Sequence, residues 1–120
     1  MLPATHRLRT PSQFAAVVRG PGARRHGSRL LVVHTLCPPD RGDAPSRVGF
    51  VVSTSVGNAV VRNRVKRRLR QLCSARLERL GTGVDVVVRA TPAAATASSG
   101  DLGAALDRAW DRLAPSGCPQ

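Results

Sequence analysis

The sequence predicts an α+β fold, an αβββαβα sandwich of three helices and one mainly antiparallel sheet. The pattern of apolar residues supports this prediction. Apolar, β-branched runs typical of buried strands alternate with segments whose apolar residues recur at helical spacing. The chain has 120 residues, which provide one modest hydrophobic core, so we expect a single domain over residues 1–120.

The first helix is predicted from its capping sequence. Thr10 is suited to the N-cap, Pro11 to the first helical position, and Gln13 completes a capping box. The helix should continue to about Val18. Three strands should follow, and a long Pro/Gly loop should join the second and third as an antiparallel hairpin. The expected strands are 23–28, 29–36 and 47–53.

The second half of the chain predicts helix, strand and helix. The long helix should open near Asn58, run to Leu80 and end at Gly81. An apolar strand is expected at 84–89, and a helix between two apolar strands predicts a parallel crossover. Residues 91–99 are expected to form a loop. Ser98 to Asp101 should cap the last helix, whose core stripe is Leu102, Leu106, Ala109, Trp110 and Leu113.

Positive charge is concentrated on the long helix. The chain has a net charge of +12, and no acidic residue occurs between Arg47 and Arg76. Like charges at helical spacing repel one another, and a bound polyanion removes that cost. We therefore expect nucleic acid as the partner, ahead of an anionic membrane. The basic residues of this run are Arg62, Arg64, Lys66, Arg67, Arg68 and Arg70.

The string VGNAVVRNRVKRRLR, directly after VGFVVS, resembles the Arg-Asn-Arg motif of the protein subunit of bacterial ribonuclease P. In that family the motif follows a strand and opens a long helix, as expected here. The resemblance implies a left-handed βαβ crossover. It also implies that the RNA-binding residues are Arg62, Asn63, Arg64, Lys66, Arg67 and Arg70.

The same resemblance implies a division of labour. The RNA subunit, with Mg²⁺, would cleave the 5′ leader from precursor tRNA, while the protein binds both RNAs and contributes no catalytic residue. The protein alone would hold no metal or other cofactor, and no further protein partner would be required. The leader would lie in a cleft that contains Phe14, Val18 and His34.

Departures from the family pattern affect that cleft. Val18 and His34 stand where the family commonly has aromatic residues, and Thr54 and Ser55 stand where it commonly has lysine. Because base–aromatic stacking is worth about 1–3 kcal/mol per base, we expect weaker leader binding than is usual in the family.

The sequence contains no recognisable arrangement of residues that could support catalysis by the protein. The histidines form no recognisable pair with a nucleophile or carboxylate, and no phosphate loop or paired-carboxylate motif occurs. The spacing of Cys37, Cys73 and Cys118 supports neither a disulfide framework nor a zinc site. Without a signal peptide or membrane span, we expect a cytoplasmic protein.

Three alternative functions remain open from the sequence. A structural, ribosomal-type RNA-binding protein would use the same basic helix without a processing role. A stand-alone nuclease is disfavoured by the missing acid–base groups. A DNA-binding helix module is disfavoured because neither a helix-turn-helix nor zinc spacing is evident.

Overall fold

A computed structural model describes residues 2–113 and confirms the α+β class. Its eight main elements follow the predicted order, with one additional short helix after the long one. Two short 3₁₀ helices, Ala4–His6 and Pro92–Thr96, lie outside them. The elements are α1 (Pro11–Arg19), β1 (Arg24–Gly27), β2 (Leu31–Leu36), β3 (Arg47–Val51), α2 (Ala59–Ser74), α3 (Leu77–Leu80), β4 (Asp85–Ala90) and α4 (Ser99–Leu113).

The four strands form one sheet in the order β1-β2-β4-β3. β4 pairs antiparallel with β2 and parallel with β3, which confirms the predicted parallel crossover through α2. The predicted hairpin between β2 and β3 is wrong, because β4 lies between them. Val86, Val87 and Val88 are all completely buried. A strand that is apolar on both faces is most stable at the centre of a sheet.

Helices cover both faces of the sheet. Alternate residues of a strand point to opposite faces, so Val86 and Val88 join the main core with α2 and α4. Val87 points the other way and packs with Val17 of α1 in a smaller cluster. Trp110 is 3% exposed in the main core, as its place on the predicted stripe suggested.

The long helix begins where the sequence predicted and ends earlier. The side chain of Asn58 accepts a hydrogen bond from the backbone N–H of Val61, at 3.0 Å. α2 ends at Ser74, and residues 77–80 form the separate helix α3. This break directs Arg76 and Arg79 to Asp107 of α4, at 2.8 and 2.9 Å. The two ion pairs hold the end of α2 against α4.

The segment between β4 and α4 is more ordered than the expected loop. Its 3₁₀ helix, Pro92–Thr96, buries Ala94, and Ala97 just beyond it is also buried. Ser98 then caps α4 as predicted, because its hydroxyl accepts a hydrogen bond from the N–H of Asp101 at 3.0 Å. Among residues 2–113, no helix is long and apolar enough to cross a membrane.

The cysteines differ in their surroundings. Cys73 is a free thiol in the main core, where burial raises its pKa to about 12. Cys37 is disulfide-bonded, so the expectation of no disulfide is wrong at that residue. Sequence spacing alone does not reveal which cysteines approach each other. Cys118 lies outside the described residues.

Candidate nucleic-acid interface

The outer side of α2 presents cations that no acid neutralises within the part of the chain that the structure describes. Asn63, Arg67 and Arg70 are exposed and Lys66 is half-buried. Within residues 2–113, every ion pair uses an arginine outside α2, and none of these four side chains has a hydrogen bond. We call these four residues the open face of α2. Their unpaired donors are available to an anionic partner.

Two other arginines of the motif region have contacts within the protein. Arg64 donates a hydrogen bond to the carbonyl of Ala95, and Arg68 donates one to the carbonyl of Ala97, each at 3.3 Å. Both side chains are half-buried. They therefore dock α2 onto the 92–97 segment, although Arg64 was predicted to bind RNA.

Arg62 lies in the first turn of α2 and is half-buried. Its Nε, like that of Arg64, is buried without a hydrogen-bond partner in the described part of the chain. A buried donor without a partner costs free energy. A phosphate oxygen at the start of α2 would satisfy it, which agrees with the predicted RNA-binding role of Arg62.

The predicted leader-cleft residues lie on the α1 face of the sheet, but they differ in exposure. Phe14 and Val18 are half-buried around Val87. His34 is the cross-strand partner of Val87, so it shares that face, but it is only 3% exposed. Its buried ring offers little surface for stacking on a base.

Two arginines surround His34 on the same face. Arg25 is its cross-strand partner on β1, and Arg89 follows Val87 on β4. Both arginines are exposed. Burial, with smaller contributions from the charges of Arg89 and Arg25, lowers the pKa of His34. The ring is therefore held neutral beside two solvent-exposed positive charges.

Thr54 and Ser55, at the positions commonly occupied by lysine in the family, are exposed in the turn between β3 and α2. The hydroxyl of Ser55 lies 2.7 Å from that of Ser53. Neither side chain supplies the charge that a lysine would, whereas Arg25 and Arg89 do place exposed positive charge on the α1 face.

A cleft of about 170 Å³ connects the two predicted sites. It lies between the N-terminal segment, the edge strand β3 and α2. Phe14 lines it together with Lys66 and Arg70, and so do Arg7 and Phe50. Sequence reasoning did not assign these last two residues to a site. The basic character of residues 1–9 was the available signal, but nothing local placed them beside β3.

Comparison with known proteins identifies the family. The Ribonuclease P family model matches residues 2–114 of this chain. The chain belongs to the ribonuclease P protein family. This confirms the resemblance seen around the Arg-Asn-Arg motif and gives the chain a role in tRNA processing, in partnership with ribonuclease P RNA.

Relatives within the family match over most of their length. A ribonuclease P protein component from Arthrobacter sp. (strain FB24) is 49% identical, covering 94% of this chain and 83% of the relative. One from Nocardioides sp. (strain ATCC BAA-499 / JS614) is 48% identical, covering 94% and 95%.

Solved structures agree with the fold. The RNase P protein of Staphylococcus aureus superposes with a TM-score of 0.80 at 21% identity, covering 93% of this chain and 98% of that one. The RNase P protein of Thermotoga maritima, in complex with 1-(4-fluorophenyl)-2-thiourea, gives a TM-score of 0.76 at 22% identity, covering 89% and 99%. At these identities the likeness shows the fold alone.

Proposed function

We propose that this ribonuclease P protein binds the catalytic RNA through α2 and assists the Mg²⁺-dependent removal of the 5′ leader from precursor tRNA, without contributing a catalytic group. The observation that carries the proposal is the open face of α2. Three cations and an amide stand there without a partner among residues 2–113. Arg62 extends this surface to the start of the helix.

Electrostatics explains why the partner is a polyanion. Each cation that neutralises a phosphate releases a counterion, which favours binding at low salt. Asp107 and Asp111 of α4 cannot compete for these cations, because they are occupied by Arg76 and Arg79. The open face of α2 is therefore left for RNA.

The donor set around α2 does not suit Mg²⁺. This ion prefers oxygen ligands, chiefly carboxylates and phosphates, and no acid occurs between Arg47 and Arg76. Asp85, the buried acid of the sheet, accepts two hydrogen bonds from Arg47, at 2.9 and 2.6 Å. We infer that the RNA supplies the metal ligands and that the protein alone requires no cofactor.

We assign the precursor's 5′ leader to the α1 face of the sheet. The exposed charges of Arg25 and Arg89 support this assignment, because single-stranded RNA binds grooves that combine positive charge with stacking surface. Val18 provides apolar surface, while His34 is buried. Electrostatic contacts should therefore dominate over stacking, and the gain from a longer leader should be modest.

The test is reconstitution with purified components at low Mg²⁺. We expect no cleavage of precursor tRNA by the protein alone, and faster cleavage when the protein is added to ribonuclease P RNA. An α2 variant with Lys66→Gln, Arg67→Gln and Arg70→Gln should lose most of the stimulation. A control variant with Arg19→Gln, Arg108→Gln and Arg112→Gln has the same charge change on exposed residues outside α2 and should keep it.

The same assay separates the alternative functions. Cleavage by the protein without RNA would show a stand-alone nuclease and contradict the proposal. RNA binding without any stimulation would favour the structural, ribosomal-type role.

A further inference from the structure

His34 is a titratable side chain buried on the α1 face of the sheet. Only 3% of the residue is exposed, and its Nε2 has no hydrogen-bond partner among residues 2–113. A buried polar nitrogen without a partner costs free energy, and an apolar side chain of similar size would fill this place without that cost. The imidazole therefore gives β2 a chemical property that packing alone does not require.

The two cations nearest to His34 come from the strands on either side of β2. Arg25 is its direct cross-strand partner on β1, and such partners have Cβ atoms about 4.5–5.5 Å apart. Arg89 is a diagonal neighbour on β4, because it follows by two residues Val87, the direct partner of His34. Diagonal neighbours lie about 7–8 Å apart, within reach of a long side chain. Both arginines are exposed, and neither has an ion-pair or hydrogen-bond partner within residues 2–113.

No free carboxylate balances these charges beside His34 in the part of the chain that the structure describes. Asp85 lies on the same face of β4, but it accepts two hydrogen bonds from Arg47, at 2.9 and 2.6 Å, and lies 3.7 Å from Nε of Arg41. The helix α1, which packs over this face, carries one charged residue, Arg19 in its last turn. Positive charge is therefore in excess around the imidazole.

The other titratable groups of β1 belong to the opposite face of the sheet. Arg24 and His26 alternate with Arg25 along the strand, so their side chains point away from α1. Arg24 donates hydrogen bonds to backbone carbonyls at the end of α4. The cross-strand partner of His26 belongs to the main core. His26 is therefore a matched control for His34, because it is a histidine on the neighbouring strand that faces the other way.

These surroundings keep His34 neutral in the free protein. Burial is the largest cause that lowers the pKa of its imidazole, and the charges of Arg89 and Arg25 lower it further. An anion bound to both arginines cancels their repulsion and attracts an imidazolium beside them. The imidazole then holds a proton more readily in the complex than in the free protein.

We propose that a phosphate group of the precursor's leader binds between Arg25 and Arg89, and that this binding is coupled to the uptake of one proton by His34. The inference rests on the proposed function, which assigns the leader to the α1 face, and adds a pH-dependent regulation of that site. A phosphodiester stays charged throughout the range in which histidine titrates, so the imidazole is the group that gains the proton. The proton comes from solvent and returns to it when the leader dissociates.

Linkage between the two equilibria determines the direction of the effect. Because the complex binds the proton more tightly than the free protein does, affinity for the leader rises as pH falls. The rise ends below the pKa of His34 in the free protein, where both states are protonated. One unit of difference between the two pKa values corresponds to a tenfold change in affinity. We expect a gain of about three- to tenfold between about pH 8 and pH 5.

NMR spectroscopy can observe the protonation of His34 directly. The chain has three histidines, and the His34→Gln and His26→Gln variants assign two of the imidazole signals. The probe is a short oligouridine, because uracil takes up no proton in this pH range. The midpoint of the His34 titration should rise by about 0.5–1 unit when oligouridine saturates the protein. The midpoint of the His26 titration should stay where it is.

Arginine variants separate the possible failures. Arg25→Gln and Arg89→Gln should each weaken binding of oligouridine, whereas Arg108→Gln, an equal charge change on α4, should not. If both arginine variants weaken binding but the His34 titration is the same with and without oligouridine, the proton coupling is refuted while the leader assignment stands. If oligouridine does not bind, or binds both variants as tightly as wild type, the leader assignment fails and the inference fails with it.

The reconstituted holoenzyme provides a second test. The ratio of affinities for a precursor with an oligouridine leader and for one without a leader cancels the effects of pH on the rest of the complex. In wild type this ratio should rise about threefold or more as pH is lowered from about 8 to about 6. His26→Gln should keep the rise, and His34→Gln should abolish it. An equal rise in wild type and His34→Gln, with folding confirmed by circular dichroism, would overturn the inference.

Discussion

Arg67 and Arg68 are neighbours on α2, yet the structure predicts opposite consequences for their loss. Arg67 is exposed and has no partner in residues 2–113, whereas Arg68 is half-buried and donates to the carbonyl of Ala97 at 3.3 Å. Replacing each by glutamine removes the same charge from adjacent positions of one helix. The pair therefore separates RNA binding from stability, with each variant as the other's control.

The expected magnitudes follow from these contacts. A hydrogen bond from a charged donor contributes about 1.5–3 kcal/mol, and 3.3 Å lies beyond the usual range of distances. We therefore expect Arg68→Gln to cost about 1 kcal/mol of unfolding free energy, or roughly 4 °C in Tm. Arg67→Gln should stay within about 0.5 kcal/mol of wild type, but should lower the affinity for RNA about fivefold through one lost phosphate contact.

Two assays check this pair of variants. Thermal unfolding measures Tm, and filter binding to ribonuclease P RNA at fixed salt measures affinity per folded molecule. Equal loss of RNA affinity in both variants, with equal Tm, would refute the separation between the open face of α2 and the side that carries Arg64 and Arg68. A large loss of stability in Arg67→Gln would show that its side chain has a structural role.

Three further predictions follow from individual contacts. Gly49→Ala should destabilise the fold by about 1–3 kcal/mol through overpacking, and Phe14→Leu in the same chain should remove much of that cost; additive losses in denaturant titrations would contradict the contact. Burial lowers the pKa of His34, so the imidazole binds a proton more readily in the unfolded chain than in the folded one. The free energy of unfolding should therefore fall as pH drops below 6.5. His34→Phe should reduce this loss and His26→Gln should retain it; the same pH dependence of stability in both variants would refute the buried neutral ring. The thiol of Cys73, fully buried with its pKa raised to about 12, should react with a disulfide reagent only at the rate of unfolding; fast reaction in native buffer would contradict its burial.

Local signals predicted the starts of the helices correctly. The capping box of α1 forms as expected, because the hydroxyl of Thr10 accepts from the N–H of Gln13 at 3.2 Å while the Gln13 side chain accepts from the N–H of Thr10 at 3.1 Å. Asn58 likewise caps α2. These interactions span three residues, so the residue types and their spacing are sufficient to predict them.

Pairing between distant segments was harder to predict. A hairpin between β2 and β3 was the simplest connection, but the three consecutive buried valines of β4 required the centre of the sheet. Their continuous apolar character was a signal of burial on both faces. The order of the strands along the chain favoured β3 as the neighbour of β2, because that order does not show which strand lies at the centre of the sheet.

The candidate site also combines features that the local sequence predicts with features that depend on tertiary packing. The helical pattern separated the open face of α2 from its apolar side, but it could not show that Arg64 and Arg68 lie beside the carbonyls of Ala95 and Ala97. The cleft depends on Arg7 and Phe50 meeting α2 across the edge of the sheet. Such a meeting follows from tertiary packing and has no local sequence signature.

Salt dependence of RNA binding tests the central claim most directly. The claim is that Lys66, Arg67 and Arg70 each neutralise a phosphate of ribonuclease P RNA, and each contact contributes about 0.7–0.9 to the slope of log affinity against log salt. The α2 variant with glutamine at these three positions should therefore have a slope smaller in magnitude than that of wild type by about 2–3. The control variant with glutamine at Arg19, Arg108 and Arg112 should keep the wild-type slope. Equal slopes for the α2 variant and wild type would contradict the account, because the open face of α2 would then lie outside the interface.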